Sequence, residues 1–413
     1  MADLLVRRAR LLGKDGLFDI VVEKGEISKV AKSEIQERGK EVIDAEGNLV
    51  LPSFVEPHVH LDKVLLAEET REASSISEAR EIVKEAKKKF TVSSVSKRIE
   101  KVIPLAIENG VTKIRSHVDV DVYAKLVSVE ALLSLKKKYS GIVDFQIVAF
   151  PQEGLLKDSE SLELLRKALD MGADVVGGLP EAELSQDDSK RHVDQAIALA
   201  IEAGRDIDMH CDVLPFGKVT EYFASEVIRK GIEAGRATAD HLIALSYYDD
   251  YYASKVIGLL KMAGINVISN PCTMMTSGNL DSPPRGRGVT RIKELLKAGV
   301  NLAFGLDNIV DPYNPFGDFN ALLNGWFFAY AGQLNSSSEI GSLLEMPTLR
   351  SARILRLRGY GIEPGSKADF NVMNSKDPRS ALRFHQKPRC VIENGNILVE
   401  NRYEITSHYE LPS

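Results

Sequence analysis

The spacing of apolar and polar residues changes along the chain and divides it into three regions. Residues 1–50 contain short runs in which apolar and polar positions alternate around a Lys24-Gly25 pair. Residues 358–413 show the same alternating pattern around Asn394-Gly395. Alternation on either side of a Gly-containing turn is typical of β-hairpins. Because both ends share this pattern, we expect them to form one small β-sandwich domain together.

The middle region, residues 51–357, alternates strand-like and helix-like segments. Its apolar runs are apolar on both faces and are separated by amphipathic stretches, which indicates parallel strands covered by helices. Eight such runs favour a closed (β/α)8 barrel, the TIM barrel, over an open sheet. In chain order the runs are LVLPSFVEPHVH, VTKIRSHVDV, VDFQIVAF, ADVVGGLP, DIDMHCDV, RATADHL, INVISNP and NLAFGLD.

Composition narrows the functional classes. With 44% hydrophobic and 27% charged residues the chain is typical of a globular protein, and its net charge of −6 does not favour nucleic acid as a partner. No apolar stretch approaches the roughly 20 residues that cross a bilayer, and three widely spaced cysteines form no disulfide pattern. We expect a cytoplasmic protein with a small-molecule partner and no nucleic-acid or membrane partner; a homo-oligomer is compatible with these features.

Polar residues at the carboxyl ends of the predicted strands form the candidate site, because barrel active sites lie at that end. His58 and His60 end the first run, and strand alternation places both on the same side. His210, His241 and Asp307 end the fifth, sixth and eighth runs. A single histidine at a strand end is usually satisfied by ordinary hydrogen bonds. Here, however, four of the eight histidines lie at such ends, together with one carboxylate. This combination predicts a site for Zn²⁺ or Fe²⁺ with an open coordination position.

The other histidines and one cysteine are assigned plainer roles. His117 ends the second run and is expected either in the site wall or in a structural contact. Cys211 follows His210 and points away from it by alternation, so it is interpreted as a packing residue. We expect His192, His385 and His408 at the surface or in contacts between domains.

These residues and motifs resemble the amidohydrolase superfamily of metal-dependent hydrolases. The HxH pair, the two later histidines and the aspartate follow its order, and GIEPGSKADFNV is similar to the segment in which its members return to the β-sandwich. Over most of the chain the resemblance is greatest to the cytosine deaminase branch and to the related N-isopropylammelide isopropylaminohydrolase. It rests on VEPHVHLDK, IRSHVDVD, DFQIVAFPQEG, GADVVGG, HCD, GINVISNP, RGVTRIKELLKAGVNLAFG and DNIVDPYNPFG.

The resemblance implies a division of roles at the metal. One divalent ion, Zn or Fe, would be held by His58, His60, His210 and Asp307. His241 would polarise the attacking water, and Asp307 would also accept its proton. Such a metal lowers the pKa of water, and a carboxylate can carry the proton to a leaving nitrogen.

The resemblance also implies substrate contacts. Gln152 matches the position whose amide binds the pyrimidine edge, since an amide offers both a donor and an acceptor. Tyr313 matches an aromatic residue over the ring, although loop packing is an equal alternative. Asn308 stands where cytosine deaminases carry a second aspartate.

Two departures from the branch make the substrate the open question. Cytosine deaminases carry a proton-donating glutamate after HCD, where this chain has Val213, and Lys63 matches the triazine hydrolase instead of the deaminase. Lys63 or Asp212 could supply the missing acid, or Lys63 could bind an anionic substrate group. We include Lys63 with His241 and Asp307 as a catalytic residue, and Asp212 with the substrate contacts.

Several functions are therefore compared. The leading hypothesis is deamination of a small N-heterocycle, first a cytosine-like pyrimidine and second an N-alkylamino-triazine. A cyclic amidase of the dihydroorotase or hydantoinase kind is disfavoured, because DVVGGLPEAE offers no lysine to bridge two metals. A catalytically inactive binding module is the third alternative. The segment TMMTSGNLDSPPRGRG, with Arg285 and Arg287, is predicted to be a loop over the site.

Overall fold

Two eight-stranded sheets organise the molecule. The computed structural model describes residues 1–32, 35–277, 288–404, 406 and 408. Within that part of the chain the strands are β1 (Ala2–Leu11), β2 (Phe18–Glu23), β3 (Glu26–Lys32), β4 (Gly39–Asp44), β5 (Leu49–Pro52), β6 (Phe54–Val59), β7 (Val111–Asp119), β8 (Asp144–Phe150), β9 (Val175–Gly178), β10 (Asp206–Cys211), β11 (Ala237–His241), β12 (Asn266–Ser269), β13 (Leu302–Phe304), β14 (Phe370–Val372), β15 (Cys390–Glu393) and β16 (Asn396–Glu400).

Helices connect the strands of the middle region and cover them. They are α1 (Ile76–Lys87), α2 (Val92–Glu108), α3 (Val127–Lys138), α4 (Ser161–Met171), α5 (Gln186–Ala203), α6 (Val219–Arg229), α7 (Asp250–Ala263), α8 (Pro271–Ser277), α9 (Ile292–Lys297), α10 (Ala321–Gly332), α11 (Ser337–Glu345), α12 (Ser351–Ile354) and α13 (Pro378–Phe384). Short 3₁₀ turns lie at Leu61–Lys63, Leu66–Glu68, Pro180–Ala182 and Ile243–Tyr247, and a π turn lies at Met346–Arg350. None of the helices in the described ranges is long and apolar enough to span a membrane.

The barrel consists of β6 to β13 in sequence order, each parallel to the next. Its ring closes between the first and last strands, where Val59 pairs with Asp307. There the amide of His60 donates to the carbonyl of Asp307, and the amide of Asp307 donates to the carbonyl of His58, both at 2.8 Å. The predicted (β/α)8 barrel is confirmed, and its closure brings the ends of the first and eighth runs side by side.

The second sheet joins both ends of the chain, as the alternating pattern predicted. Its order is β16-β15-β14-β5-β1-β2-β3, with β4 also paired to β1. Apolar residues of both termini form one separate core, which includes Leu4, Val6, Ile20, Val22, Phe370 and Ile392. The predicted division after residue 50 falls inside β5, which ends at Pro52.

The first predicted run, LVLPSFVEPHVH, forms two strands instead of one. β5 pairs with β1 and β14 in the terminal sheet, whereas β6 begins the barrel. Pro52 has no amide hydrogen to donate to a neighbouring strand, and the amide of Ser53 donates to the carbonyl of Asp369 instead. The chain therefore changes sheets at residues 52–53, and the six residues of β6 are all buried.

Candidate active site

The chain bends sharply where β11 and β13 reach the open end of the barrel. His241 has φ of +71° and Asp307 has φ of +67°, in a region that non-glycine residues rarely occupy and that is held in place by surrounding contacts. The Val59–Asp307 pairing fixes the second of these bends. Such strained conformations cluster at functional sites, and here both carry a residue predicted to act in catalysis.

Four side chains that lie in or just after β6, β10 and β13 converge on one point. Asp307 Oδ1 lies 3.4 Å from His58 Nε2 and 3.3 Å from His60 Nε2. His210 Nε2 lies 3.4 Å from His60 Nε2, and all four residues are buried. Ligand atoms placed about 2.0–2.1 Å from a tetrahedral Zn²⁺ would be about 3.3–3.4 Å apart. These three separations match that spacing and are compatible with a divalent cation held among these residues.

Unsatisfied atoms in the same cluster support that fit. His58 Nε2 and Asp307 Oδ2 are buried and have no hydrogen-bond partner in the described part of the chain. Buried polar atoms are costly when they are left unpaired. Burial raises the pKa of Asp307, but the adjacent imidazoles of His58 and His60 outweigh burial and hold this pKa well below its usual range. The aspartate is therefore an anion and suits a cation.

The carboxyl group of Asp240 lies close to two of these imidazoles. Its Oδ2 lies 3.0 Å from His58 Nδ1 and 3.5 Å from His210 Nδ1. A carboxylate that hydrogen-bonds Nδ1 would leave Nε2 as the metal-binding nitrogen and fix the ring orientation. His117 Nε2 lies 3.5 Å from the same oxygen. His117 is therefore a buried neighbour of the cluster, and its ligand atom lies within 4.8 Å of those of His58, His210 and Asp240.

Replacing Asp240 with asparagine should weaken metal binding about 10–100-fold, the usual effect of losing such a supporting carboxylate. The measurement is competition between the protein and a chromophoric chelator for Zn²⁺. Asp206→Asn is the matched control, because Asp206 lies at the opposite end of the barrel and bonds Arg236 and Arg356. Unchanged Zn²⁺ affinity in Asp240→Asn would show that Asp240 does not support the ligands.

His241 is held by a neighbour from β12. Asn270, which directly follows that strand, places its side-chain nitrogen 3.2 Å from His241 Nδ1. The other ring nitrogen, Nε2, is then left to contact water or substrate. Both residues are buried, and the pair positions the imidazole beside the ligand cluster.

One cavity adjoins the cluster and contains most of the predicted site residues. It is lined by His60, Lys63, Gln152, His210, His241, Asp307, Asn308 and Tyr313. His58 lies deeper and is fully buried. Val213 also lines the cavity. It stands where the cytosine deaminase branch has its glutamate, but its side chain has no ionisable group.

Lys63 lies in the cavity wall as the centre of a buried ionic network. Its Nζ is 2.5 Å from Asp119 Oδ1, and the other oxygen of Asp119 is 3.0 Å from Lys87 Nζ. Lys87 also contacts Asp121 and Glu153. Burial lowers the pKa of Lys63, but the charges of Asp119 and Asp62 outweigh burial and raise the pKa above its usual value. Lys63 is therefore a permanent positive charge.

Asp212 does not reach the cavity lining. Its φ of +52° turns the chain, and its carboxylate accepts hydrogen bonds from the amides of Val219 and Thr220 and from the hydroxyl of Tyr248. We therefore remove Asp212 from the candidate substrate contacts. The carboxylate next to Val213 is that of Glu181, whose Oε2 accepts a 2.7 Å bond from the Val213 amide.

Other sequence expectations had mixed outcomes. His192 was expected at the surface or in a domain contact, but it is fully buried and pairs with Glu183 at 2.7 Å. Cys211 is packed in the main core, as expected. In the predicted covering loop, Met274 lines the cavity, while residues 278–287, with Arg285 and Arg287, lie outside the described residues.

Comparison with known proteins gives consistent matches. Residues 99–399 match the model of the amidohydrolase family. The chain is 33% identical to N-isopropylammelide isopropyl amidohydrolase of Pseudomonas sp. (strain ADP), over 97% of this chain and 98% of that protein. It is 26% identical to pterin deaminase of Rhizobium rhizogenes, over 92% and 87%. The structure of 5-methylcytosine deaminase from Klebsiella pneumoniae aligns with a TM-score of 0.93 and 33% identity, over 98% of this chain and 99% of that chain.

Proposed function

The chain belongs to the amidohydrolase family and is a metal-dependent hydrolase of carbon–nitrogen bonds, and from that premise we propose that it removes an exocyclic amine from a small N-heterocycle. A cytosine-like pyrimidine is the first candidate substrate. The observation that carries the proposal is the convergence of four ligand atoms beside a cavity that also contains Gln152.

We further propose that a single Zn²⁺ or Fe²⁺ is held by His58, His60, His210 and Asp307. When bound, such an ion lowers the pKa of water and polarises the reacting group. His241 borders the same cavity through the ring nitrogen that Asn270 leaves free. In that position the imidazole orients the attacking water through a hydrogen bond.

Asp307 is the proton carrier in this proposal. Its second oxygen, Oδ2, has no hydrogen-bond partner in the described chain, and its low pKa keeps it ionised before the reaction. It can accept the proton of the attacking water and deliver it to the leaving nitrogen, as general acid–base catalysis requires. Lys63 has a raised pKa, so its role is to stabilise negative charge in the cavity and not to donate a proton.

Ring recognition is assigned to Gln152 and Asn308. Gln152 lines the cavity and offers an amide donor and acceptor to a ring that presents C=O beside N–H. Asn308 also lines it, and its side-chain nitrogen donates to Asp311 at 2.5 Å, so its amide oxygen is the group left for the substrate. These contacts fix the ring edge while the amine points toward the metal.

The test is a substrate panel with metal-saturated protein. Ammonia or amine release is measured with cytosine, 5-methylcytosine, N-isopropylammelide and pterin. We expect turnover of at least one ring, and a loss of about 10²-fold or more in kcat/KM in Gln152→Leu, because the substrate's polar edge would be left unpaired. Gln333→Leu, at an exposed helix end outside this cavity, is the control. No release from any ring at full metal occupancy would contradict the proposal.

An alkylamino-triazine is the second candidate substrate. It is supported by the 33% identity to the isopropylammelide enzyme over nearly the whole chain, and by the sequence resemblance at Lys63. The panel separates the candidates, because the triazine releases isopropylamine and the pyrimidines release ammonia.

A further inference from the structure

Arg80 is a cation in the cavity wall that the strand-end pattern did not predict. It lies in α1, is half-buried, and lines the same cavity as His210 and His241. Within the described chain its guanidinium makes no hydrogen bond or ion pair. Lys63, the other cation of this wall, is instead bonded to Asp119 at 2.5 Å. Arg80 therefore has donors to offer to a ligand.

Tyr313 supplies a second unused donor to the same cavity. Its hydroxyl is buried and lacks a hydrogen-bond partner in the described residues. Burial raises its pKa, while the charges of Lys63 and then Arg80 act in the opposite direction, which puts both cations within electrostatic reach of the phenol. A buried hydroxyl without a partner is unfavourable unless a ligand or water satisfies it.

No carboxylate among the described residues forms an ion pair with Arg80. Glu181 is near enough for the charge of Arg80 to affect it, but Glu181 accepts a hydrogen bond from the Val213 amide and forms no ion pair with Arg80 in the described residues. Burial, followed by the charge of Asp212, raises the pKa of Glu181 to about 8, so this group is largely protonated at neutral pH. Asp119 is shared by Lys63 and Lys87. The positive charge of Arg80 is left for the cavity.

We propose that Arg80 and Tyr313 form an anion subsite that binds a negatively charged oxygen of the substrate, so that the preferred ring is an anion. This inference rests on the proposed function and specifies its substrate class. A guanidinium and a phenol are suited to an oxyanion, because arginine donates in a planar fork and a charge-assisted bond is stronger than a neutral one. The oxygen belongs either to an acidic ring imide or to a carboxylate on the ring.

The experiment compares anionic and neutral rings of the same shape. One pair is cytosine-5-carboxylate and cytosine-5-carboxamide, and the other is N-isopropylammelide and its derivative methylated at both ring N–H positions, which has no acidic ring N–H left to ionise. We expect wild-type kcat/KM to favour the anionic member, and the pair with the larger ratio identifies the source of the oxygen. Equal kcat/KM within both pairs overturns the inference.

Variants assign the preference to its residues. Arg80→Gln should lower kcat/KM for the anionic ring about 10–100-fold, the factor typical of a hydrogen bond to a charged group, mostly by raising KM. The neutral partner should change less than about threefold, Arg80→Lys should retain part of the preference, and Tyr313→Phe should give a smaller loss with the same selectivity. The control is Lys84→Gln in the same helix, whose side chain stacks on Tyr123.

The outcomes also separate this inference from the function on which it rests. No amine release from any ring by the metal-saturated wild type would remove both. Release that Arg80→Gln lowers equally for anionic and neutral rings would leave the function standing and overturn the subsite. Because Arg80 has no hydrogen-bond or ion-pair partner to lose among the described residues, the variant is expected to keep the wild-type Tm, and a retained Tm with selective loss supports the subsite.

Discussion

Asp307→Asn should lower kcat/KM for amine release by about 10²–10⁴-fold, the range contributed by a positioned proton-transfer group. Asparagine keeps the shape of the side chain but loses the negative charge and the proton-accepting oxygen. In the wild type that oxygen, Oδ2, has no other partner in the described chain, while Oδ1 lies 3.3 Å from His60 Nε2. One substitution therefore affects both metal binding and proton transfer.

The two effects can be measured separately. Metal content is determined by elemental analysis, and kcat/KM is then measured at a metal concentration that saturates the variant. We expect the saturated variant to remain slow, because added metal does not restore proton acceptance. Asp318→Asn is the control, since Asp318 is exposed on the same loop and bonds the amide of Asn320. Activity within about tenfold of wild type in metal-saturated Asp307→Asn would rule out Asp307 as the proton carrier.

Lys63→Met should lower the free energy of unfolding by about 3–5 kcal/mol, the cost of removing one partner from a buried ion pair. Lys63 and Asp119 have side chains that are 1% and 0% exposed and lie 2.5 Å apart. Removing the lysine leaves the carboxylate buried with only Lys87 to compensate. Denaturation by urea at neutral pH measures the change.

A second substitution tests whether the loss comes from the unpaired charge. In Lys63→Met/Asp119→Asn neither charge remains, so we expect more than half of the lost stability to return. Lys84→Met removes a partly exposed lysine whose ion pair with Glu81 spans 4.0 Å, and it should change stability by less than about 0.5 kcal/mol. A double variant as unstable as the single one would contradict the charge-pair explanation.

The sequence predicted the barrel and placed candidate ligands because both depend on order along the chain. Each apolar run delivers its last polar residue to the same end of a barrel, so His58, His60, His210 and Asp307 could be collected without coordinates. Strand alternation was enough to put the two histidines of HVH on one side. These are local or topological rules, and they hold for this chain.

Residues that act through contacts between strands were harder to predict. Asp240 was visible at the end of the sixth run, but its role depends on the register that pairs it with His210. Asn270 supports His241 across two strands. Neither contact is encoded in the spacing of one strand, which explains why no role was assigned to them.

Two errors have local physical causes. Asp212 follows a strand-end histidine as an inward residue would, but its left-handed backbone turns the carboxylate toward α6. His192 lies in a helix with a polar first turn, yet its imidazole is buried. Burial is tolerated because the imidazole hydrogen-bonds Glu183 of the preceding loop. Arg80 was missed because it belongs to a helix and not to a strand end.

The most direct test of the central claim is amine release measured as metal is returned to metal-free protein. With the best ring of the panel, we predict that the initial rate rises in proportion to Zn²⁺ or Fe²⁺ up to one equivalent per chain and then stays constant, and that Asp307→Asn shows no comparable rise. Full activity in metal-free protein, or a rate that reaches its plateau only at two equivalents, would contradict a hydrolase that uses one metal ion held by His58, His60, His210 and Asp307.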